Sequence, residues 1–493
     1  LTITTALDTE IVTVNAGTAT GAVSLQAANT TGVTVTGGSA GDTLTTVGGA
    51  DNVSGGAGND IINAGTGNDT VAGGDGNDSI TVSTGTVNVT GGAGNDTITM
   101  GATLTLVDTI DGGAGTNVLN IDAGTADANF TLVSNVQTIQ ARDAGTYTLG
   151  ALATAAGVTR IDTVADGIYV IAAGSLTNNT TVDLGSTNNK LDTVTTGSGD
   201  DIVIFDGATG LETGDILTLG TGSNVVQLDN SAAGVTAVVD MDNVSGLTQI
   251  TITDADGLAA TSAEAISVTF SAVTETTVQT VTVDGSAVTD ANDAITVTGV
   301  ANATTTTTFN ITGGAGNDIL TGGDGADTIV GGNGANTLDG DAGNDIVTGG
   351  TGIDIITGGA GNDTVSAGAG ADVITLAAGN DNVDAGAGDD AIGVTTNLTS
   401  ADTLTGGDGT DTITASAGTV DADFTNVTSV EKYTAGTVGT HTLGALADAA
   451  GIRTITTING ANTYAAGAMT SGITVDMKAS ASDTDIITTG SGD

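Results

Sequence analysis

Neither cysteine, proline nor tryptophan occurs among the 493 residues of this chain. Without cysteine there are no disulfides and no thiolate sites, so an exported protein of this composition needs another source of stability, and metal binding is the available one. Without proline there are no slow prolyl isomerisations and no proline breaks in a strand ladder. Aromatic residues make up only 2%, which excludes a core of large side chains and favours thin layers of Val, Ile and Leu, as in a solenoid. Positive charge is as scarce: six Lys and Arg stand against 57 Asp and Glu, a formal net charge of -51. Such a surface repels nucleic acid and anionic membranes, and no basic cluster reverses that locally. It also repels itself, so compaction calls for bound cations. The single histidine, His441, is expected at the surface. It and the few Lys and Arg leave little for acid–base or phosphate chemistry, which argues against an enzyme. No apolar run reaches the roughly 18 residues that suggest a membrane span. Leu1 to Val14 lacks the basic and apolar regions of an export signal. The chain therefore reads as a fragment of a longer protein, exported by a signal elsewhere.

What the sequence has in quantity is glycine, 79 residues, beside aspartate rather than glutamate. A short carboxylate next to Gly is the preference of a metal-binding turn, not of a solvated helix face. Self-comparison shows a long repeat: TLGALATAAG at Thr148 returns as TLGALADAAG at Thr442, an offset of 294 residues. Phe130 matches Phe424, and Asp108-Thr109 matches Asp402-Thr403. Tandem arrays of this kind build length and surfaces. Within the long unit runs a nine-residue repeat, unbroken from Gly313 to Gly393 as GGAGNDILT, GGDGADTIV and their successors, and weaker from Gly37 to Thr99. Each block has a twelve-residue insertion before one further copy, at Gly112 and at Gly406.

These features divide the chain into a degenerate β segment (1–36), a first repeat block (37–120), a spacer (121–195), a short repeat-like segment (196–227), a strand-rich segment (228–312), a second block (313–414), a second spacer copy (415–487) and the start of a further repeat (488–493). Alternation such as Ile250-Thr-Ile-Thr253 marks strands outside the blocks. Only Gly150 to Gly157 and Gly444 to Gly451 suggest short helices. All six basic residues, Arg142, Arg160, Lys190, Lys432, Arg453 and Lys478, fall in the spacer copies, where they are candidates to contact acidic rolls of adjoining subunits.

Each nonad reads as a six-residue glycine turn ending in Asp, then a three-residue strand whose middle residue points inward. Gly at positions one, two and four is expected to supply positive φ. Two nonads make one coil, so residues eighteen apart stack at about 4.8 Å. One edge then carries Asp318, Asn336, Asp354, Asp372 and Asp390, the other Asp327, Asp345, Asp363 and Asp381. Neighbouring carboxylates at that spacing repel by roughly 1 kcal/mol with water-like screening and by more when desolvated. A cation between them resolves this. Ca²⁺ suits six to eight hard oxygens at irregular angles, whereas zinc would want His or Cys. Folding and calcium binding are then expected to be one event.

GGAGNDIIN at Gly55, GGDGADTIV at Gly322 and their neighbours resemble the GGxGxDxUx repeat of RTX proteins, the hemolysin-type calcium-binding family. That resemblance implies an all-β fold of right-handed parallel β-roll or β-solenoid blocks, alternating here with β-rich spacers. It also implies several Ca²⁺ ions at the turns, type I secretion, and an extracellular, cell-surface location. It carries over as metal ligands Asp60, Asp69, Asp78, Asp96, Asp318, Asp327, Asp345, Asp354, Asp363, Asp372, Asp381, Asp390 and Asp411. Asn117 and Asn336 replace the Asp, Val87 abolishes it, and the turns at Gly37 and Thr46 are irregular, so no ion is assigned there. Asp108 and Asp402 are secondary candidates, balanced against plain surface residues.

The segments between blocks look like those of RTX-type S-layer proteins and large RTX adhesins. The expected function is a secreted calcium-binding structural protein that assembles by self-association as an S-layer or surface filament, with a cell-surface polysaccharide as anchor. The alternative is the extender region of a large RTX adhesin that grips a cell surface or ice.

Overall fold

The computed structural model describes residues 10, 12–28, 30–101, 104–165, 167–185, 191–206, 211, 215–229, 236–239, 244–253, 265–270, 280–300, 307–395, 398–416, 418–477 and 485–489. Lys190, Lys478 and residues 490–493 lie outside them. The chain forms two compact units, Leu1–Gln227 with Asn243–Leu247, and Leu228–Asp242 with Thr248–Asp493.

In the first unit a Val or Ile at the centre of each short strand sets the register. Val53 lies on Val71 and Val71 on Val89, all parallel. On the other sheet Ile62, Ile80, Ile98, Leu119, Ile139, Ile161, Val182 and Val203 form one column. The second unit repeats the plan with Ile329, Val347, Val365, Val383 and Leu404 against Leu320, Leu338, Ile356, Ile374, Ile392 and Ile413. All these residues are buried. Burying each contributes about 1.5–3 kcal/mol, so the core is two aliphatic columns rather than a globular centre. Parallel strands joined in this way make a solenoid: strand, turn, strand, turn, with each coil hydrogen-bonded to the next.

The coil is eighteen residues long wherever nonads follow one another, as in Thr328↔Ile346 and Ile346↔Thr364. It lengthens to 21 over each insertion, Thr97↔Val118 and Asn382↔Thr403. The segments between blocks wind into the same parallel ladders with longer coils, for example 22 residues at Thr138↔Arg160 and 23 at Thr440↔Thr463. The two strands of a coil differ. One is confined to about three residues, such as Ile355–Thr357, while its neighbour continues through the next glycines, as in Thr364–Ala369.

The two expected helices are present at Ala151–Ala156 and Ala445–Ala450. Each is preceded by a 3₁₀ turn, Asp127–Leu132 or Asp421–Phe424, that buries Phe130 or Phe424 and that sequence patterning does not reveal. Asp127 reaches the start of the first helix and accepts from the Gly150 and Ala153 amides at 2.7 and 2.9 Å; Asp421 does the same for Gly444 and Ala447 at 2.7 and 3.0 Å. Each acts as an N-cap supplied from the preceding coil.

Glycine usage differs from expectation in one respect. Most glycines at positions two and four have positive φ, as at Gly350 (125°) and Gly352 (119°), but those at position one do not. There glycine is required for space. A β-carbon at Gly349 would overlap the Ala367 carbonyl oxygen and Asp354 Oδ2 of the same turn.

His441 is fully buried, not at the surface. Nδ1 faces the Tyr433 hydroxyl at 2.7 Å, Nε2 faces the Thr437 carbonyl at 3.1 Å, and the ring stacks on Tyr464. Burial pushes its pKa below the ordinary value. A neutral ring that accepts from the tyrosine and donates to the carbonyl satisfies both nitrogens.

All three arginines are engaged within the chain. Arg142 pairs with Asp122, Arg160 with Asp162 and Asp183, and Arg453 with Asp448.

Candidate metal centre

The strand that follows each turn fixes the sixth-position side chain at the coil's corner, where it points along the solenoid rather than into solvent. All thirteen aspartates carried over from the repeat are buried there, at 0–4% exposure. They form ladders. The Asp60 amide donates to Asp78 Oδ1, and Asp78 to Asp96 Oδ1, both at 2.8 Å. In the second unit Asn336 donates to Asp354, Asp354 to Asp372, Asp372 to Asp390 and Asp390 to Asp411 at 2.8–2.9 Å. The opposite edge runs Asp327, Asp345, Asp363, Asp381 and Asp402 at 2.8–3.0 Å.

The amide satisfies one oxygen of each carboxylate. The other, Oδ2, is buried with no protein partner at Asp60, Asp69, Asp78, Asp96, Asp327, Asp345, Asp354, Asp363, Asp372, Asp390 and Asp411. A β-carbon at a position-one glycine meets what this oxygen faces: at Gly73 it finds Asp78 Oδ2 and, at 2.5 Å, the Gly91 carbonyl of the next coil. At Gly55 the same cradle holds Asp60 Oδ2 and the Gly73 carbonyl, whereas Asp318 Oδ2 beside Gly313 also accepts from the Gly314 amide at 2.7 Å. Acceptor therefore faces acceptor inside the turn, an arrangement that proteins keep only where a cation or proton intervenes.

The carboxyl pKa values reflect the same frustration. Burial first, and neighbouring carboxylates second, overcome the amide hydrogen bond and push Asp60, Asp78, Asp327, Asp381 and Asp390 up to about 6, and Asp345 to about 7. Asp69, Asp96, Asp318, Asp354, Asp363, Asp372 and Asp411 are raised as well, burial again being the main cause.

The donor set is all oxygen. Among the described residues no three Asp, Glu, His or Cys side chains converge on one point, so an ion would complete its shell with turn carbonyls. Carboxylate plus carbonyl oxygens at a flexible corner fit Ca²⁺. An ion held there would take up the unpaired charge of successive rungs and tie coil to coil.

Asparagine rungs show the complementary case. Asn224 Nδ2 donates to the Gly220 and Gly246 carbonyls at 2.9 and 3.0 Å. Its nitrogen thus satisfies carbonyls that an Asp would leave facing an oxygen. Asn117 behaves likewise, and Asn336 Nδ2 sits in the position-one cradle beside Gly331. At Val87 the rung is missing, as expected.

Asp108 and Asp402 are not surface residues. Both are buried, continue the ladders by accepting from Val87 and Asp381, and have the second oxygen closed by the amide and hydroxyl of Thr105 or Thr399. The chain itself caps them, so neither offers an open oxygen.

Other rungs escaped the sequence reading. Asp42 and Asp51, in the turns called irregular, accept from Val23 and Val33 and donate to Asp60 and Asp69. Asp201 accepts from Thr180 and keeps a buried, unpartnered Oδ2. A second ladder, of fifth-position amides, runs the other way at the exposed corner: Asn77 donates to Asn59 Oδ1 and Asn95 to Asn77 Oδ1, at 2.8 and 2.7 Å. Recurrence of Asn in the GND triplet was the signal for it.

The RTX calcium-binding nonapeptide repeat family matches residues 36–71, 72–102, 310–338, 321–356, 339–374, 357–392 and 398–419. Those matches contain every aspartate of the thirteen. No curated protein matches the chain.

Proposed function

We propose that this chain, an RTX repeat protein by its family matches and its parallel solenoid fold, is a secreted structural protein whose buried aspartate ladders bind Ca²⁺, and which assembles on the cell surface as an S-layer or surface filament. The thirteen aspartates of the repeat are its metal ligands, eleven of them through a buried carboxylate oxygen that the protein leaves unsatisfied. The observation that carries this is the row of buried Oδ2 atoms facing carbonyls, coil after coil. No smaller feature accounts for so many unpaired acceptors in register. When bound, calcium supplies positive charge between rungs; the chain supplies the spacing, through strand register, and the room, through glycine.

Assembly follows from charge. A net charge of -51 sets copies against one another, and Arg142, Arg160 and Arg453 already pair within the chain. Bridging between acidic copies therefore falls to divalent cations rather than to these arginines. All four tyrosines and the described phenylalanines are buried, so the surface lacks the aromatic platforms that favour sugar recognition, which supports a structural role over a ligand-binding one. Electron microscopy of purified protein in millimolar Ca²⁺ and in chelator tests the proposal. Ordered sheets or fibres that appear only with calcium are expected. Soluble monomers in both conditions would instead support the extender region of a large adhesin.

A further inference from the structure

The two copies of the long repeat end their ladders on the same backbone with different chemistry. From this we infer that the second copy ends in an additional divalent-cation site, built from Asp411, Glu431 and the Ser429 carbonyl, where the first copy uses protein amides instead. The inference rests on the calcium-binding role of the ladders proposed above and adds a ligand, Glu431, that lies outside both the nonads and the family matches, the last of which ends at residue 419.

At the offset of 294 residues Asn117 corresponds to Asp411, Asn135 to Ser429 and Gln137 to Glu431. Geometry is conserved between the copies. The Asp96 and Asp390 amides donate to Asn117 Oδ1 and Asp411 Oδ1, both at 2.9 Å; the Asn117 and Asp411 amides donate to Gln137 Oε1 and Glu431 Oε2 at 2.8 and 2.9 Å. Asn135 and Ser429 both hold left-handed backbone, with φ 55° and 53°.

The difference lies in one atom of each rung. Asn117 Nδ2 donates to the Asn135 carbonyl at 2.9 Å and reaches the Gly113 carbonyl at 3.4 Å. In its place the second copy has Asp411 Oδ2, which is buried and has no partner. A β-carbon at Gly112 would meet Asn135 O and Asn117 Nδ2; one at Gly406 would meet Ser429 O and Asp411 Oδ2. Donor facing acceptor in the first copy has become acceptor facing acceptor in the second. Of the three side chains that changed, those at 117/411 and 137/431 exchange a carboxamide for a carboxylate, while 135/429 contributes only its backbone carbonyl, so two negative charges arrive where a hydrogen-bond donor was removed. Lys432 occupies the strand position paired with Thr412, alternating with the buried Tyr433. A hard divalent cation taking Asp411, Glu431 and Ser429 O would satisfy the buried Asp411 Oδ2 and offset both added charges.

Ion counting on the whole chain by titration calorimetry, with hydrogen exchange read by mass spectrometry, tests this with Ca²⁺ as the probe. The double variant Asp411→Asn/Glu431→Gln should bind one fewer Ca²⁺ per chain and should make amide protection across 427–457 less dependent on calcium than in the wild type. Wild-type 133–163 should already show that weaker dependence. The reciprocal Asn117→Asp/Gln137→Glu should gain one ion and make 133–163 more calcium-dependent, which guards against a variant that merely misfolds. Unchanged ion counts in both variants, with a calcium-loaded ladder, would overturn the Asp411–Glu431 site and leave the other twelve ligands standing; a wild-type chain that binds no calcium would overturn the ladder proposal and this site with it.

Discussion

A carboxylate and its carboxamide differ by one donor, and along these coils that difference sorts the rungs into those that need a cation and those that do not. Asp363 sits between Asp345 and Asp381 with its Oδ2 buried and unpaired. Asp363→Asn should stabilise the chelated protein by about 1–3 kcal/mol, the usual cost of an unsatisfied buried group, while lowering the calcium bound; melting in chelator and ion counting check the two halves. The pH response has a definite sign. Folded-state values of about 6 for Asp60, Asp78, Asp327, Asp381 and Asp390, and about 7 for Asp345, lie above the ordinary 3.8. The metal-free folded chain therefore holds more protons than the unfolded chain between about pH 4 and 7, and its stability falls as pH rises through that window. In chelator the melting temperature should be higher at pH 5 than at pH 7.5; a melting temperature that climbs with pH would contradict the burial of these carboxylates. The thirteen aspartates were legible because their turns keep the glycine spacing. Asp42, Asp51 and Asp201 were not, since their turns depart from the motif and only strand register shows that they reach the same corner. His441 was misplaced for a related reason: its partners Tyr433 and Tyr464 lie on neighbouring strands, invisible to local pattern.

At the scale of a turn or helix, backbone space is the limiting quantity. Gly361 has φ 141°, and a β-carbon there would collide with the Gly343 carbonyl of the preceding coil. Gly361→Ala should destabilise the second unit by about 1–2 kcal/mol from backbone strain alone, and by more once the overlap is added; urea unfolding in calcium reads the loss, and an unchanged midpoint would contradict the packing described. The short helix Ala445–Ala450 depends on Asp421, so Asp421→Ala should cost about 0.5–2 kcal/mol, visible as faster amide exchange confined to that helix. Both helices were readable from their Ala-rich runs closed by Gly157 and Gly451, which adopt left-handed backbone. The winding of the segments between blocks was not, because their coils of 20 to 24 residues erase the eighteen-residue period while leaving inward Ile and Val columns intact.

For the molecule as a whole, two thin aliphatic columns work against a charge of -51, much of it stacked at coil corners. The fold class could be read in advance because both the apolar period and the acidic period follow the coil. Calcium decides the balance between them. Circular dichroism of the chain during a calcium titration, begun from exhaustive EDTA dialysis, is the most direct measurement. The β signal and the melting temperature should both be lower without metal and rise cooperatively as calcium is added; a spectrum and melting temperature that stay the same from EDTA to millimolar calcium would contradict metal-dependent winding of the solenoid.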